Sequence, residues 1–253
     1  MKNQLIATVA AFALATAAGA AQAQTVGYVG AAYGHTEVDV LGLEGDGDTY
    51  GVEGSVRFDA GQLGAQIDGQ IARTEVEGDD ATSFGATAHL NAKFDGGLIG
   101  GFAGVEDSDD TTLWAVGAEA QANLSPAATL YGQLGYGQID DVDADFWAAR
   151  AELRFFVSEN FRLQGAAGYT KVDADVVELD AWNLGVEAEY QFAGTNWSVL
   201  GGYDRTEADD LDLSADTFRL GVRYSFGGTL RDRDQAGASL GSVSKLFAAG
   251  AAF

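Results

Sequence analysis

The sequence predicts an all-β fold: an antiparallel up-and-down β-barrel of about twelve strands that crosses a membrane. Three observations predict it. After residue 24 the chain divides into segments of roughly ten to fourteen residues in which apolar and polar positions alternate. Aromatic residues on the apolar faces gather at the two ends of these segments. The connections also come in two alternating kinds. Every second one is a short, nearly neutral turn: Ala60-Gly61-Gln62, Gly96-Gly97, Ser125-Pro126-Ala127, Ser158-Glu159-Asn160 and Ala193-Gly194-Thr195-Asn196. The others are acidic and expected to be mostly longer, around Glu44-Gly45-Asp46, Glu77-Gly78-Asp79, Asp107-Ser108-Asp109, Asp140-Asp141-Val142-Asp143, Asp173-Ala174-Asp175 and Asp209-Asp210-Leu211-Asp212. A sheet whose two ends differ this consistently has two different surroundings, as a membrane barrel with short turns on one side and longer loops on the other has.

Residues 1–23 read as a secretory signal. Lys2 gives a positive start, Leu5 to Ala18 is apolar, and Ala21-Gln22-Ala23 is an A-x-A cleavage site. The barrel is expected over 24–226, and 227–253 reads as a flexible C-terminal tail rich in Gly, Ala and Ser. Cysteine is absent, which excludes a disulfide framework and a thiolate metal site. A formal charge of −24 argues against nucleic-acid binding. High net charge signals disorder only where apolar residues are scarce, and here they make up 47% in a regular pattern.

The expected strands, in order, are 25–37, 49–59, 63–75, 83–94, 98–106, 111–124, 128–139, 145–157, 161–172, 179–192, 197–207 and 215–226. The second sets Tyr50, Val52, Val56 and Phe58 against Glu53, Ser55 and Arg57. The fourth sets Phe84, Ala86, Ala88, Leu90 and Phe94 against Thr87, His89, Asn91 and Lys93. The tenth sets Trp182, Leu184, Val186 and Tyr190 against Asn183, Glu187, Glu189 and Gln191. The twelfth sets Phe218, Leu220, Val222, Tyr224 and Phe226 against Arg219, Arg223 and Ser225. In the fifth, Gly and Ala dominate both faces.

Phe58, Phe94, Phe155, Phe161, Phe192, Trp197 and Phe226 fall at the short-turn end. Tyr33, Tyr50, Phe84, Trp114, Tyr136, Trp147, Tyr169, Trp182, Tyr203 and Phe218 fall toward the acidic end. Two aromatic bands are what two membrane–water interfaces select. A secreted β-sandwich would also alternate. It would not sort its connections by charge or band its aromatics, and it would need longer crossings. Closure satisfies both sheet edges, as lipid demands.

Arg219-Leu220-Gly221-Val222-Arg223-Tyr224-Ser225-Phe226 resembles the signature that ends the last strand of outer-membrane β-barrel proteins: polar, any, Gly, two of any, aromatic, any, aromatic. The whole of 25–226 is similar to small porin-like barrels of Gram-negative bacteria, with fewer strands than the general porins and no long inward-folding loop. The resemblance implies that Gly221, Tyr224 and Phe226 form an assembly signal read by the barrel-assembly machinery. It also implies residence among the lipid and lipopolysaccharide of the cell outer membrane. The tail, passing Arg231-Asp232-Arg233-Asp234, is then expected to hang in the periplasm.

Catalytic signals are poor. The two histidines, His35 and His89, lie on different strands, and Ser83 is about 20 Å of strand from His89. Asp141, Asp143, Asp145 and Glu152 match some calcium-loop positions, but Phe146 stands where the loop needs Gly. Neither enzyme nor cofactor nor resident metal is expected. The polar faces carry Glu53 and Arg57 on the second strand, Asp68 on the third, and His89 and Lys93 on the fourth. They add Glu119 on the sixth, Arg150, Glu152 and Arg154 on the eighth, and Arg162 on the ninth. Glu187 and Glu189 follow on the tenth, and Arg219 and Arg223 on the twelfth. Charges facing lipid are costly, so these residues are the candidate lining of a wet lumen. Two arrangements stay open: acids and bases opposed across the lumen, or local pairs such as Arg162 with Glu189. The expected function is passive diffusion of ions and small polar solutes. The alternative is a blocked barrel whose acidic loops bind divalent cations or lipopolysaccharide.

Overall fold

In a computed structural model, residues 25–247 are described apart from 77, 109–110, 141–142, 175–176 and 209–210. The expected signal segment and residues 248–253 lie outside the described residues. Alternation produces the strands: β1 (Thr25–Val40), β2 (Leu43–Ala60), β3 (Leu63–Val76), β4 (Asp79–Phe94), β5 (Gly97–Ser108), β6 (Thr111–Ser125), β7 (Ala128–Ile139), β8 (Ala144–Ser158), β9 (Phe161–Ala174), β10 (Val177–Gln191), β11 (Trp197–Ala208) and β12 (Leu213–Phe226). Each pairs antiparallel with the next, and β1 pairs with β12 to close the barrel. The all-β, twelve-stranded up-and-down barrel expected from the sequence is the observed fold.

One expectation about the connections fails. The acidic connections are not mostly longer: β1 and β2 are joined by 41–42 alone, and β3 and β4 by 77–78. The acidic residues instead continue the strands, with Glu44, Asp46 and Asp48 on β2 and Asp79 and Asp80 on β4. Hydrogen bonding along the ladder outweighs the poor strand propensity of Asp and Gly, as the continuous pairing of β1 with β2 up to Val40 and Leu43 shows. Leu41 adopts a positive φ of 55° and Gly42 one of 79°, a sharp reversal that needs no loop.

Side chains alternate between two surroundings. Outward stand Leu90, Val186, Leu220 and Ile99, which no protein group covers and which form the apolar belt. Inward stand Arg57, Gln66, His89, Gln121, Arg154 and Glu189, all buried. The aromatic bands are real contacts between neighbouring strands. Tyr136 lies 5.1 Å from Trp147 at the acidic end, and Trp197 5.2 Å from Tyr224 at the other.

The chain beyond β12 does not hang free as the sequence suggested. Gly227 and Gly228, at φ 94° and 121°, turn it back into the barrel. Helix α1 (Leu230–Gln235) starts on a capping box: the Asp232 amide donates to the Thr229 hydroxyl and the Thr229 amide to the Asp232 carboxylate, each at 3.2 Å. The Thr229 bond holds the Asp232 carboxyl below its ordinary pKa. A short helix α2 (Val243–Phe247) follows. The physical reason for the correction is burial. Leu230, Leu240, Val243 and Leu246 are apolar side chains of the tail with an apolar seat inside the barrel.

Candidate functional site: a charged lumen holding the chain's own tail

One side of the lumen wall receives the tail. Leu98 and Phe102 on β5, Leu113 and Ala115 on β6, and Phe146 and Ala148 on β8 point inward, although β6 and β8 carry mainly polar residues on the rest of that face. Val243 and Leu246 pack against Phe102, Leu113, Ala115, Phe146 and Ala148, and Leu240 packs with Leu98 and Tyr131. Gly135 leaves room for Leu246, where a side chain would collide with it.

The tail backbone is held by wall side chains. Arg57 donates to the Gly237 carbonyl at 2.9 Å, Gln121 to that of Asp234 at 2.8 Å, and Gln133 to that of Gly241 at 2.6 Å. The Gly241 amide donates to the Tyr131 hydroxyl at 3.0 Å, and the Val243 amide to the Thr87 hydroxyl at 3.0 Å. Arg154 bonds the Asp234 carboxylate at 2.8 Å and the Ser239 carbonyl at 2.5 Å. At the short-turn end Arg231 pairs with Glu159 at 2.6 Å.

All fourteen charged residues singled out from the sequence line the inner face, and they pair locally. Arg162 meets Glu187 at 2.7 Å and Glu189 at 2.9 Å across the β9–β10 ladder. Arg150 and Arg154 flank Glu152 at 2.9 and 2.5 Å. Arg223 holds Glu53 at 2.7 Å and Glu189 at 2.9 Å. Arg219 reaches Glu187 and Asp204, both at 3.3 Å. Lys93 pairs with Asp59 at 2.5 Å, and Arg57 bonds Asp59 and Asn91. His89 sits between two acids. Its Nδ1 bonds Glu119 at 3.0 Å, while Asp68 lies 2.8 Å from Nε2 as an ion-pair contact rather than an aligned hydrogen bond. Tyr131 donates to Glu119 at 2.8 Å, so this cluster reaches the tail through Gly241. The other histidine, His35, stands on the outward rim and bonds Asp48 at 2.9 Å.

Charge alone picked the candidates, so the uncharged tail-binding groups were missed: Gln121, Gln133, Tyr131 and Thr87. The signal that would have found the apolar seat is doubled bulk. Leu113-Trp114 and Phe146-Trp147 each place large apolar side chains on both faces of a strand. Of the residues read as an assembly signal, Tyr224 stands outward in edge contact with Trp197 at 5.2 Å. The ring of Phe226 takes the space that a side chain at Gly27 would occupy, and Gly221 faces inward beside Ala32 and Leu200.

The described part of the tail does not fill the barrel. Beside it remains a space of about 820 Å³, part of it open to solvent. Tyr28, Arg162, Glu187, Glu189, Asp204, Arg219 and Arg223 line it on the wall, and Leu230, Arg233, Leu240 and Lys245 on the tail. Such a space can hold water, ions and small polar molecules against charged walls.

Solved structures share this architecture. The translocator domain of the autotransporter NalP from Neisseria meningitidis is 15% identical with a TM-score of 0.59, over 88% of this chain and 96% of that one. An outer membrane channel from Pseudomonas putida F1 is 14% identical with a TM-score of 0.59, over 81% and 95%. The NanC porin is 9% identical with a TM-score of 0.57, over 78% and 100%. At these identities the likeness is one of fold. No curated protein matches the sequence. The family profile described as outer membrane protein beta-barrel domain matches twice, over residues 6–155 and 91–226, so the signature-bearing last strand and the rest of the barrel lie within it. The chain belongs to the outer membrane protein beta-barrel domain family.

Proposed function

We propose that this barrel is a channel for passive diffusion of ions and small polar solutes, in the outer membrane of a Gram-negative bacterium, and that its own tail sets the free cross-section. The observation that carries this reading is one-sided docking. Most bonds of the tail go to β2–β8, with Arg231 on Glu159 and Arg233 on Gln191 at the short-turn end, while the space of about 820 Å³ lies along Arg162, Glu187, Arg219 and Arg223. Twelve strands fall between barrels filled by side chains and those with wide pores, so a segment of this size narrows the path without having to seal it. That some structural neighbours are named as porins and channels supports the class. The reading needs no catalytic group. Export by the 1–23 segment and recognition of Gly221, Tyr224 and Phe226 during assembly belong to the same proposal.

Single-channel recording of refolded protein tests it. The full chain should give small, steady steps in KCl, and a chain ending at residue 228 should give steps several times larger. Silence from both would establish the second reading, a closed structural barrel. That reading is favoured by the pairing of nearly every lumen charge. Its contacts would then be with divalent cations or lipopolysaccharide at the acidic rim.

A further inference from the structure

We propose that the lumen contains a binding site for a small oxyanion, a carboxylate or a phosphate, built by Arg162 and Arg223 of the wall with Arg233 and Lys245 of the tail. Arg233 is only 6% exposed. Its Nη1 donates to the Gln191 side-chain oxygen at 3.1 Å and the Gly228 carbonyl at 2.7 Å, both neutral acceptors. Among the described residues no carboxylate comes within ion-pairing distance of it.

The surrounding acids are all engaged elsewhere. Glu189 receives Arg162 and Arg223, each at 2.9 Å, and the Ser198 hydroxyl at 2.7 Å. Glu187 receives Arg162 and Arg219. Glu53 receives Arg223 and the Tyr28 hydroxyl. The acids flanking Arg233 in sequence are turned away, Asp232 into the helix cap and Asp234 onto Arg154. Lys245 adds a further cation whose nearest acid, Glu53, is 3.9 Å away. Arg162 keeps one buried N–H, at Nε, without an acceptor.

A buried guanidinium without a counter-charge is costly, and the cost falls when an anion is bound beside it. Burial, with Arg162 and Arg223 nearby, lowers the Arg233 pKa to about 10, so it still carries its charge at neutral pH. Guanidinium groups present paired donors that match carboxylate and phosphate oxygens. Arg162, Arg223, Arg233 and Lys245 border one common space that is partly open to solvent. The tail is therefore part of a recognition site as well as an obstruction. The site stands whether or not solute passes through the barrel.

The test is calorimetric titration of the full-length protein, refolded in a non-ionic detergent at low salt and free of phosphate. Inorganic phosphate and succinate are the probes. At least one should bind saturably near one per chain, and Arg233→Gln should weaken it about tenfold through loss of a charge-assisted contact. Lys245→Met, which removes a side chain with no tight partner, should weaken it less but measurably. Trypsin cleavage at Arg231 reports whether the tail has left the lumen. If Arg233→Gln releases the tail, Lys245→Met with its tail still protected decides. Absence of saturable binding by both probes overturns the proposal. So does affinity unchanged in both variants.

Discussion

At the scale of single residues, Arg154 joins wall to tail more directly than any other of the fourteen charged candidates. It pairs with Glu152, bonds Asp234 and the Ser239 carbonyl, and lies 4.9 Å above the Tyr131 ring. Removing one partner of a buried ion pair costs about 3–5 kcal/mol, mostly for the charge left behind. In Arg154→Met that charge is Asp234, which the tail can return to water by undocking. The expected outcome is a barrel that keeps its compact, heat-modifiable migration on a gel while trypsin gains access to Arg231. Arg150→Met removes a side chain bonded to Glu152 but not to the tail. It should leave Arg231 protected, and equal protection in both variants would show that Arg154 is not what anchors the tail. The sequence revealed that these arginines face inward, because period-two alternation settles the face. It left their partners open between pairing across the lumen and local pairs such as Arg162 with Glu189, and the local pairs are what form. Opposing acids and bases across the lumen assumes an empty centre, and the centre holds the tail. Acids on adjacent or next-but-one strands are also nearer, as Arg162 with Glu189 and Arg223 with Glu53 show.

At the scale of elements, the strands were legible and the tail was not. Each strand repeats one pattern over many residues, whereas α1 and α2 have six and five residues, too few to show a helical period. Two local signs were present in the sequence. Thr229 and Asp232 have capping-box spacing, and Phe102, Leu113 and Phe146 put apolar bulk on the polar face of the wall. Val243 and Leu246 fill that seat, so Val243→Asp with Leu246→Asp should expel the tail. Two carboxylates buried among Phe102, Leu113 and Phe146 would find no partner there, a desolvation cost that undocking removes. The strand ladder does not depend on the tail, so yield of folded barrel should be unchanged. Conductance should rise toward that of the chain ending at residue 228. A fall in folded yield instead would mean that the tail is needed to complete the barrel.

At the scale of the whole molecule, the strands are longer than a membrane requires, and the excess lies at one end. A tilted strand crosses the hydrocarbon in about 9–11 residues, yet β2 has 18 and β4 has 16. The surplus carries Glu44, Asp46, Asp48, Asp79 and Asp80 beyond the aromatic band of Tyr33, Tyr50 and Phe84. It forms an acidic collar on paired strand rather than on loops, which is why the sequence located the charge correctly but misjudged its setting. Carboxylates this dense tolerate water and a divalent-rich surface far better than hydrocarbon. The opposite end has tight turns, the return of the tail through Gly227 and Gly228, and the Arg231–Glu159 pair. The acidic collar should therefore face outside and the tail end the periplasm. The chain has no cysteine, so single introduced thiols report orientation cleanly. Glu44 and Gln62 are both exposed, one near each end. On intact cells Glu44→Cys should react with a membrane-impermeant maleimide and Gln62→Cys should not. Opening the outer membrane should make the second react as readily as the first. The reverse order of labelling would place the collar in the periplasm and the tail's entrance at the cell surface.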